Sequence, residues 1–566
     1  MLSFKRFLYI VLIVALLGGM FLFYNFMESQ PAGAQLQSCL VPEREWIAEG
    51  RIDKGEAPRV WVLGESGEGR RGEIFSNALQ LCRDLRLTVA GEGRLDAGKV
   101  TEEDLVIFCD PSVSRCADPA ELEELIAGGG RVILAAGLSE EDGDSRLRPV
   151  LGIREMSPGE NYHDLVFEKP LLPVQPEEAY YDGDSGSARL QVSDGASVYI
   201  RDADSGVPIL YTHGWQEGSV CVINGTFLAD VRCMGLLTGA MAALLPDFIY
   251  PVLGVKAVFL DGFPQVTPAD DALCRRLYGY SAEGFVQDVV WPALQGVSLR
   301  TDTPYTSSIL AAASSPERLA EAGEALFTAT GKPVLQLGGE LVYAASCPED
   351  GEIVFNEELA RRLAAAFPSY TVQGLVLEAG TFSPELMEVP GAEIRSVRGT
   401  LESPGTRLSW EEGRTVFPAA TAGNSLEDGG LFAVCSVLGA YGMVSHVFHV
   451  GALIGRDGDA AWDLNKRQLG LFESEVLARA PWLEGRTLTQ TEGDVRSYQN
   501  MDYGWAKSGR RVELTCGGAA KGQAFFYHTD GRIAGAEGLT YQEAGNGYYL
   551  LRIQEGRGRI TLEEAN

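Results

Sequence analysis

VFLDGFPQ, residues 258–265, is an apolar run that delivers one carboxylate, Asp261, and then turns through Gly-Phe-Pro. A strand buried on both faces reads as a continuous apolar run, and residues at the carboxyl ends of such strands line the ligand crevice of an α/β domain. The stretch therefore predicts the first strand of an α/β layer, with Asp261 at its mouth. Downstream the alternation continues. Ser315 and Pro316 open a helix with a cap residue and a first-turn proline, PERLAEAGEALF carries it on, and PVLQLGG (333–339) reads as the next strand. Asn356 caps EELARRLAAAF, and TVQGLVLE (371–378) is again strand-like. AVCSVLGAYG (433–442) leads into the strand MVSHVFHV, and LNKRQLGLFESEVLARAPWL (464–483) is a further amphipathic helix. Over residues 251–505 this alternation predicts a (β/α) barrel.

Upstream, RVWVLG (59–64), DLVIFC (104–109) and RVILAAG (131–137) read as strands separated by the helices IFSNALQLCRDL (74–85) and PAELEELIAGGG (119–130). Repeated βαβ predicts a doubly wound parallel sheet, flavodoxin-like or amidotransferase-like, over residues 57–250. SVCVING (219–225) and a helix at 234–245 close it, after a polar, Gly- and Asp-rich insertion. Little chemistry sits at its strand ends. No G-x-G-x-x-G follows the first strand, GESGEGRRG sets two acids where a phosphate would lie, and Cys109 has no histidine near it in sequence. This domain reads as a scaffold or binding module. At the other end, RRVELTC, GQAFFYHTDGRI and GYYLLRI, joined by DG and NG turns, predict a small β-sandwich-like domain over 506–566.

At 566 residues the chain is too long for one core. Its net charge of -31 opposes phosphate backbones, so no nucleic acid is expected and cationic partners are favoured. The same acidity also serves to keep an extracellular protein soluble. FLYIVLIVALLGGMFLFY (7–24), preceded by Lys5 and Arg6, is long enough to span about 30 Å of hydrocarbon. The expectation is an uncleaved single-pass anchor over residues 1–30, a linker over 31–56, and the bulk of the chain extracytoplasmic at the cell membrane. Ten cysteines contain no C-x-x-C pair, which argues against zinc ribbons and iron-sulfur sites. Cys109 and Cys116 flank a short loop and are read as either a disulfide or buried thiols.

Several segments of the second domain, in this order, give the chain a family resemblance. VFLDGFPQ is followed by YGYSAEGFVQDVVWPALQ (278–295), PYTSS (304–308), GGELVYAAS (338–346), GMVSHVFHVGAL (442–453) and PWL (481–483). Together they resemble a bacterial family of polysaccharide-deacetylase-like proteins encoded with Pel-type exopolysaccharide machinery, over roughly residues 250–505 and more loosely over the first domain. The resemblance implies a metal-dependent deacetylase barrel. In such a barrel one carboxylate after the first strand is general base, the adjacent one is a metal ligand, and a later histidine pair completes the site. Here the first position matches Asp261, the second is Gly262, and GGELVYAASCP (338–348) holds no histidine. No metal and no cofactor is therefore expected, since zinc needs about three protein ligands.

His446 and His449 remain in the last motif, and His446 matches the general acid of the family best. On a strand, residues three apart point to opposite faces, so the two would not share a metal. His449, Trp291, Tyr305, Tyr343 and Trp462 are candidate sugar contacts, the aromatics by stacking on pyranose rings; core packing is the alternative for each. The expected function is a membrane-anchored protein with a degenerate deacetylase barrel, binding or helping to assemble a cationic, amino-sugar exopolysaccharide. The alternatives are an active deacetylase or esterase using Asp261 and His446, and a scaffold for exopolysaccharide synthase or export subunits.

Overall fold

The computed structural model describes residues 43–563, apart from 50, 51, 53, 140–145, 347–352, 380–383, 400–407, 412, 428 and 457–458. The apolar segment 7–24 lies outside the described residues, and among those described no helix is long and apolar enough to cross a membrane.

VFLD forms the end of a fully buried strand, Val255–Asp261. It pairs in parallel with Tyr305–Ala313 on one side and Met443–His449 on the other, in the interior of a mostly parallel sheet. Beyond Tyr305–Ala313 come Glu340–Ser346, Val372–Ala379 and Ala392–Arg398. The two flanks then approach one another. Arg414–Val416 pairs with Ala392–Arg398, and further along the same segment Thr421–Ala422 pairs with Met443–His449. One irregular segment thus hydrogen-bonds to both flanks, and the sheet curls into a barrel-like half-pipe rather than a regular eight-stranded barrel. The carboxyl ends of its parallel strands open on one side.

Residues 333–339, expected as a strand, are instead the end of a short helix, Lys332–Gln336, and a turn; the strand begins at Glu340. Pro333 occupies the first turn of that helix, where its missing N–H leaves no bond unmade. The helix expected over PERLAEAGEALF covers only Pro316–Glu321.

In the first domain the sheet is parallel over five strands in the order Thr88–Gly93, Arg59–Leu63, Leu105–Phe108, Arg131–Leu134, Gly218–Ile223, the flavodoxin-like sequence of strands. The wholly parallel sheet expected from the sequence is corrected here. Four further strands continue it antiparallel: Pro208–Trp215, Ala196–Asp202, Asp164–Phe167 and Glu178–Tyr180. They come from the polar insertion, whose hairpins need no crossover helix. The C-terminal region packs two four-stranded sheets face to face, and one of their strands, Asp247–Val252, comes from far upstream.

The units share a core. Helix Gly235–Leu244 of the first domain lies against Gly430–Tyr441 of the second through small residues: Ser436 Oγ accepts from Gly235 N at 3.0 Å and Tyr250 donates to Gly439 O at 2.7 Å. A Cβ on Gly235 would meet the Ser436 carbonyl at 2.3 Å, so the approach depends on glycine. The eight described cysteines, Cys109 and Cys116 among them, are buried free thiols.

Candidate functional site at the barrel mouth

Parallel register sets the site. Asp261, at the end of its strand, lies level with Ser308 and with His449. In a parallel pair, residues level with each other face the same side. Ser308 Oγ donates to Asp261 Oδ1 at 3.0 Å. From across the half-pipe, Arg398 at the end of its own strand donates Nη1 to Oδ1 at 2.7 Å and Nη2 to Oδ2 at 2.6 Å. This is the bidentate fork that guanidinium and carboxylate geometry favours. Both partners are buried, each side chain 5% exposed, and the Arg398 guanidinium also lies over the Phe259 ring at 4.8 Å. Burial alone would raise the Asp261 pKa, but the Arg398 charge and its hydrogen bonds outweigh it and hold the carboxyl below its ordinary value.

A second acid lies near the end of Val372–Ala379, the strand beside that of Arg398. Glu378 closes the apolar run GLVLE, and partial burial, reinforced by the Asp261 charge, raises its pKa to about 7. Next to it lies a cavity of about 190 Å³ lined in part by Gly262, Gln265, Leu310, Val450 and Ile454.

The two histidines part company. His449 is exposed at the mouth, and Asn424 clamps its backbone, donating to its carbonyl at 3.1 Å and accepting from its N–H at 3.2 Å. His446 is buried three residues earlier, between Phe448 and Phe472. Its Nδ1 is 2.8 Å from Thr421 Oγ1 and its Nε2 3.0 Å from the Gly423 carbonyl. A carbonyl only accepts, so Nε2 carries the proton and Nδ1 accepts from the threonine hydroxyl. Burial lowers its pKa to about 4, so the ring is neutral at pH 7. With both nitrogens engaged away from the mouth, His446 is not placed to act as general acid toward a substrate near Asp261.

The aromatic candidates are also buried. Trp291 stacks on Phe263 at 5.8 Å, Tyr305 donates its hydroxyl to Leu294 O at 2.9 Å, Tyr343 is 1% exposed, and Trp462 packs edge-on to Phe285 at 6.1 Å. None offers a free ring face to a sugar. An exposed aromatic does occur nearby at Tyr280, which contacts Phe285.

A metal does not fit these residues. Both Asp261 oxygens are held by Arg398, Gly262 has no side chain to offer, and the chain's five histidines place only His446 and His449 near the mouth, on opposite faces. Among the described residues no group of three His, Cys, Asp or Glu could hold an ion.

Residues 93–317 match the model of a bacterial family of uncharacterised proteins, DUF2194. No curated protein matches. Among solved structures, Agd3, described as a carbohydrate deacetylase, aligns over 90% of this chain and 99% of its own, with a TM-score of 0.50 and 9% identity. The likeness is one of fold. A ThuA-like protein from Bacteroides uniformis covers 35% of this chain and 95% of its own at 11% identity, with a TM-score of 0.27. The fold of this chain is similar to that of Agd3.

Sequence reasoning missed Arg398, Ser308, Glu378 and Gln265. A signal existed for the acid: GLVLE ends in a carboxylate just as VFLD does. Ser308 closes PYTSS and Gln265 closes VFLDGFPQ, so both lay inside motifs already singled out. Arg398 had no such marker, since IRSVR alternates like any half-buried strand.

Proposed function

We propose that this chain is a carbohydrate-binding protein built on a deacetylase fold that has lost metal-dependent hydrolysis. The observation that carries this is the buried Asp261–Arg398 fork. It places a fixed cation against the very carboxylate that would serve as general base, and a base so paired is a weak one. With a net charge of -31, the ligand that fits is a cationic polymer, such as a partly deacetylated amino-sugar exopolysaccharide. The apolar segment 7–24 would hold the protein at the cell membrane with its bulk extracytoplasmic, where such a polymer is exported beside synthase or export subunits.

The test is binding of glucosamine oligomers to the purified chain at low and high salt, with metal analysis and acetate release measured on the same preparation. Affinity that falls as salt rises, with no stoichiometric divalent ion and no acetate released, supports this function. Acetate release abolished by Asp261→Asn would establish an active deacetylase instead.

A further inference from the structure

The cavity beside Asp261 holds two polar groups that the fold leaves unused. Gln265 presents its Oε1 to the Leu310 N–H at 2.8 Å, which fixes the side chain, yet its buried Nε2 has no partner. A buried donor without a partner is unfavourable and is seldom left so without a reason. Two acids line the same space. Asp270 is committed: it accepts from Thr267 N at 2.9 Å while its own N–H donates to Thr267 Oγ1 at 3.0 Å, closing a capping box on the following helix. Glu378 receives no hydrogen bond from any described residue, although Asp261, Arg398 and Arg318 lie within electrostatic reach of it. Leu310, Val450 and Ile454 supply apolar lining. At about 190 Å³ the space holds the volume of roughly six liquid waters, taking ~30 Å³ for each. That is the size class of one sugar ring.

We propose that this cavity is a single-residue saccharide subsite in which the Gln265 amide holds a ring substituent and the Glu378 carboxylate takes the ammonium of a deacetylated hexosamine. It rests on the amino-sugar function above and adds the two residues that would read the sugar. The apolar lining suits the C–H face of a pyranose, Gln265 Nε2 suits a hydroxyl or ring oxygen, and Glu378 is the one lining acid with its acceptors free. Discrimination should be strong at Glu378, because an acetamido group offers no positive charge to it.

Calorimetric titration of the full chain with a fully deacetylated glucosamine tetramer and with its N-acetylated counterpart tests this. The expected result is that Glu378→Gln weakens the deacetylated oligomer about tenfold or more while leaving the acetylated one within about twofold, as befits loss of one charge-assisted contact. Gln265→Met should weaken both. Glu378→Gln is isosteric and at an open position, so it carries the test even if Gln265→Met melts early. Wild-type affinity of both variants for the deacetylated oligomer would move the subsite elsewhere while the amino-sugar function stands. No binding of either oligomer by the unmodified chain at low salt would remove that function and the subsite with it.

Discussion

Asp261 and Glu340 are both buried carboxylates of the same curled sheet, the first at the carboxyl end of its strand and the second at the amino end of another. At the mouth, a guanidinium meets Asp261 and keeps it ionised. At the base no cation bonds to Glu340. It accepts from the Thr489 hydroxyl, from the Thr489 N–H at 3.0 Å and from the Thr487 hydroxyl, and burial raises its pKa above the ordinary value. The same carboxyl chemistry, placed at two ends of one barrel, thus yields an acid with its pKa held down by a guanidinium in one case and an acid with its pKa pushed up by burial among threonine hydrogen bonds in the other. The environment, not the residue type, decides which acid can meet a ligand as an anion.

The largest effect expected from this contrast is at the mouth. Asp261→Asn leaves Arg398 buried with no counter-charge, and Arg398→Met does the converse, so each should destabilise the chain by about 3–5 kcal/mol in urea unfolding. The paired change Asp261→Leu with Arg398→Met removes both charges and should recover most of that loss, because apolar replacement of a whole buried pair is often close to neutral. Equal losses for the single and double variants would mean that packing, rather than the charge pair, sets the stability of the mouth.

His446 gives the next effect, through pH. Its folded pKa of about 4 lies below its ordinary 6.5. As pH falls below 6.5 the unfolded chain takes up a proton that the folded chain refuses until about pH 4. Stability is therefore fully present above pH 6.5 and is lost on acidification, by ~1.4 kcal/mol per unit and about 3 kcal/mol across the window. His446→Gln should flatten that part of the curve of urea midpoint against pH. An unchanged slope would show that the ring is not sealed from protons.

Gly262 ranks third. It stands at φ +73° with nothing within 4 Å of where a Cβ would lie, so an aspartate would fit in space but strain the backbone by ~1 kcal/mol. Gly262→Asp should therefore lower stability slightly and bind no zinc in calorimetry, because Asp261 remains tied to Arg398 and His449 alone would add too few ligands for zinc. Tight zinc binding by this variant would place metal ligands where none is seen among the described residues.

The sequence made the strand character of VFLD and the position of Asp261 legible because both depend on local patterning, an apolar run and a turn. The partner of Asp261 was not legible. Arg398 is 137 residues away, and only the curl of the sheet brings it across the mouth. His446 and His449 illustrate the same limit. Their spacing correctly says that they face opposite sides, but which side is the mouth is fixed by the register His449–Asp261, a long-range property. The antiparallel half of the first sheet was hidden for a different reason: Asp164–Phe167 and Glu178–Tyr180 are only four and three residues long, and the insertion around them is rich in Gly and Asp, so hairpins there resemble loops.

The smallest effect returns to the base of the barrel and is the sharpest check on the contrast. Glu340→Gln preserves size and keeps an oxygen to accept from Thr489, while removing an ionisable group that burial already disfavours as an anion. No buried cation is orphaned by the change, so the loss of stability at pH 7 should stay within about 1 kcal/mol, the net worth of an ordinary hydrogen bond. Because the folded pKa is raised, whatever stability the acid contributes is complete below its unfolded value and declines as pH rises through the folded one. The variant should therefore compare best with the native chain in alkaline buffer and worst in acid. Urea midpoints at pH 5 and pH 9 measure this directly. A loss at Glu340→Gln as large as that at Asp261→Asn would mean that Glu340 is held as an anion after all, and the two ends of the barrel would no longer differ in kind.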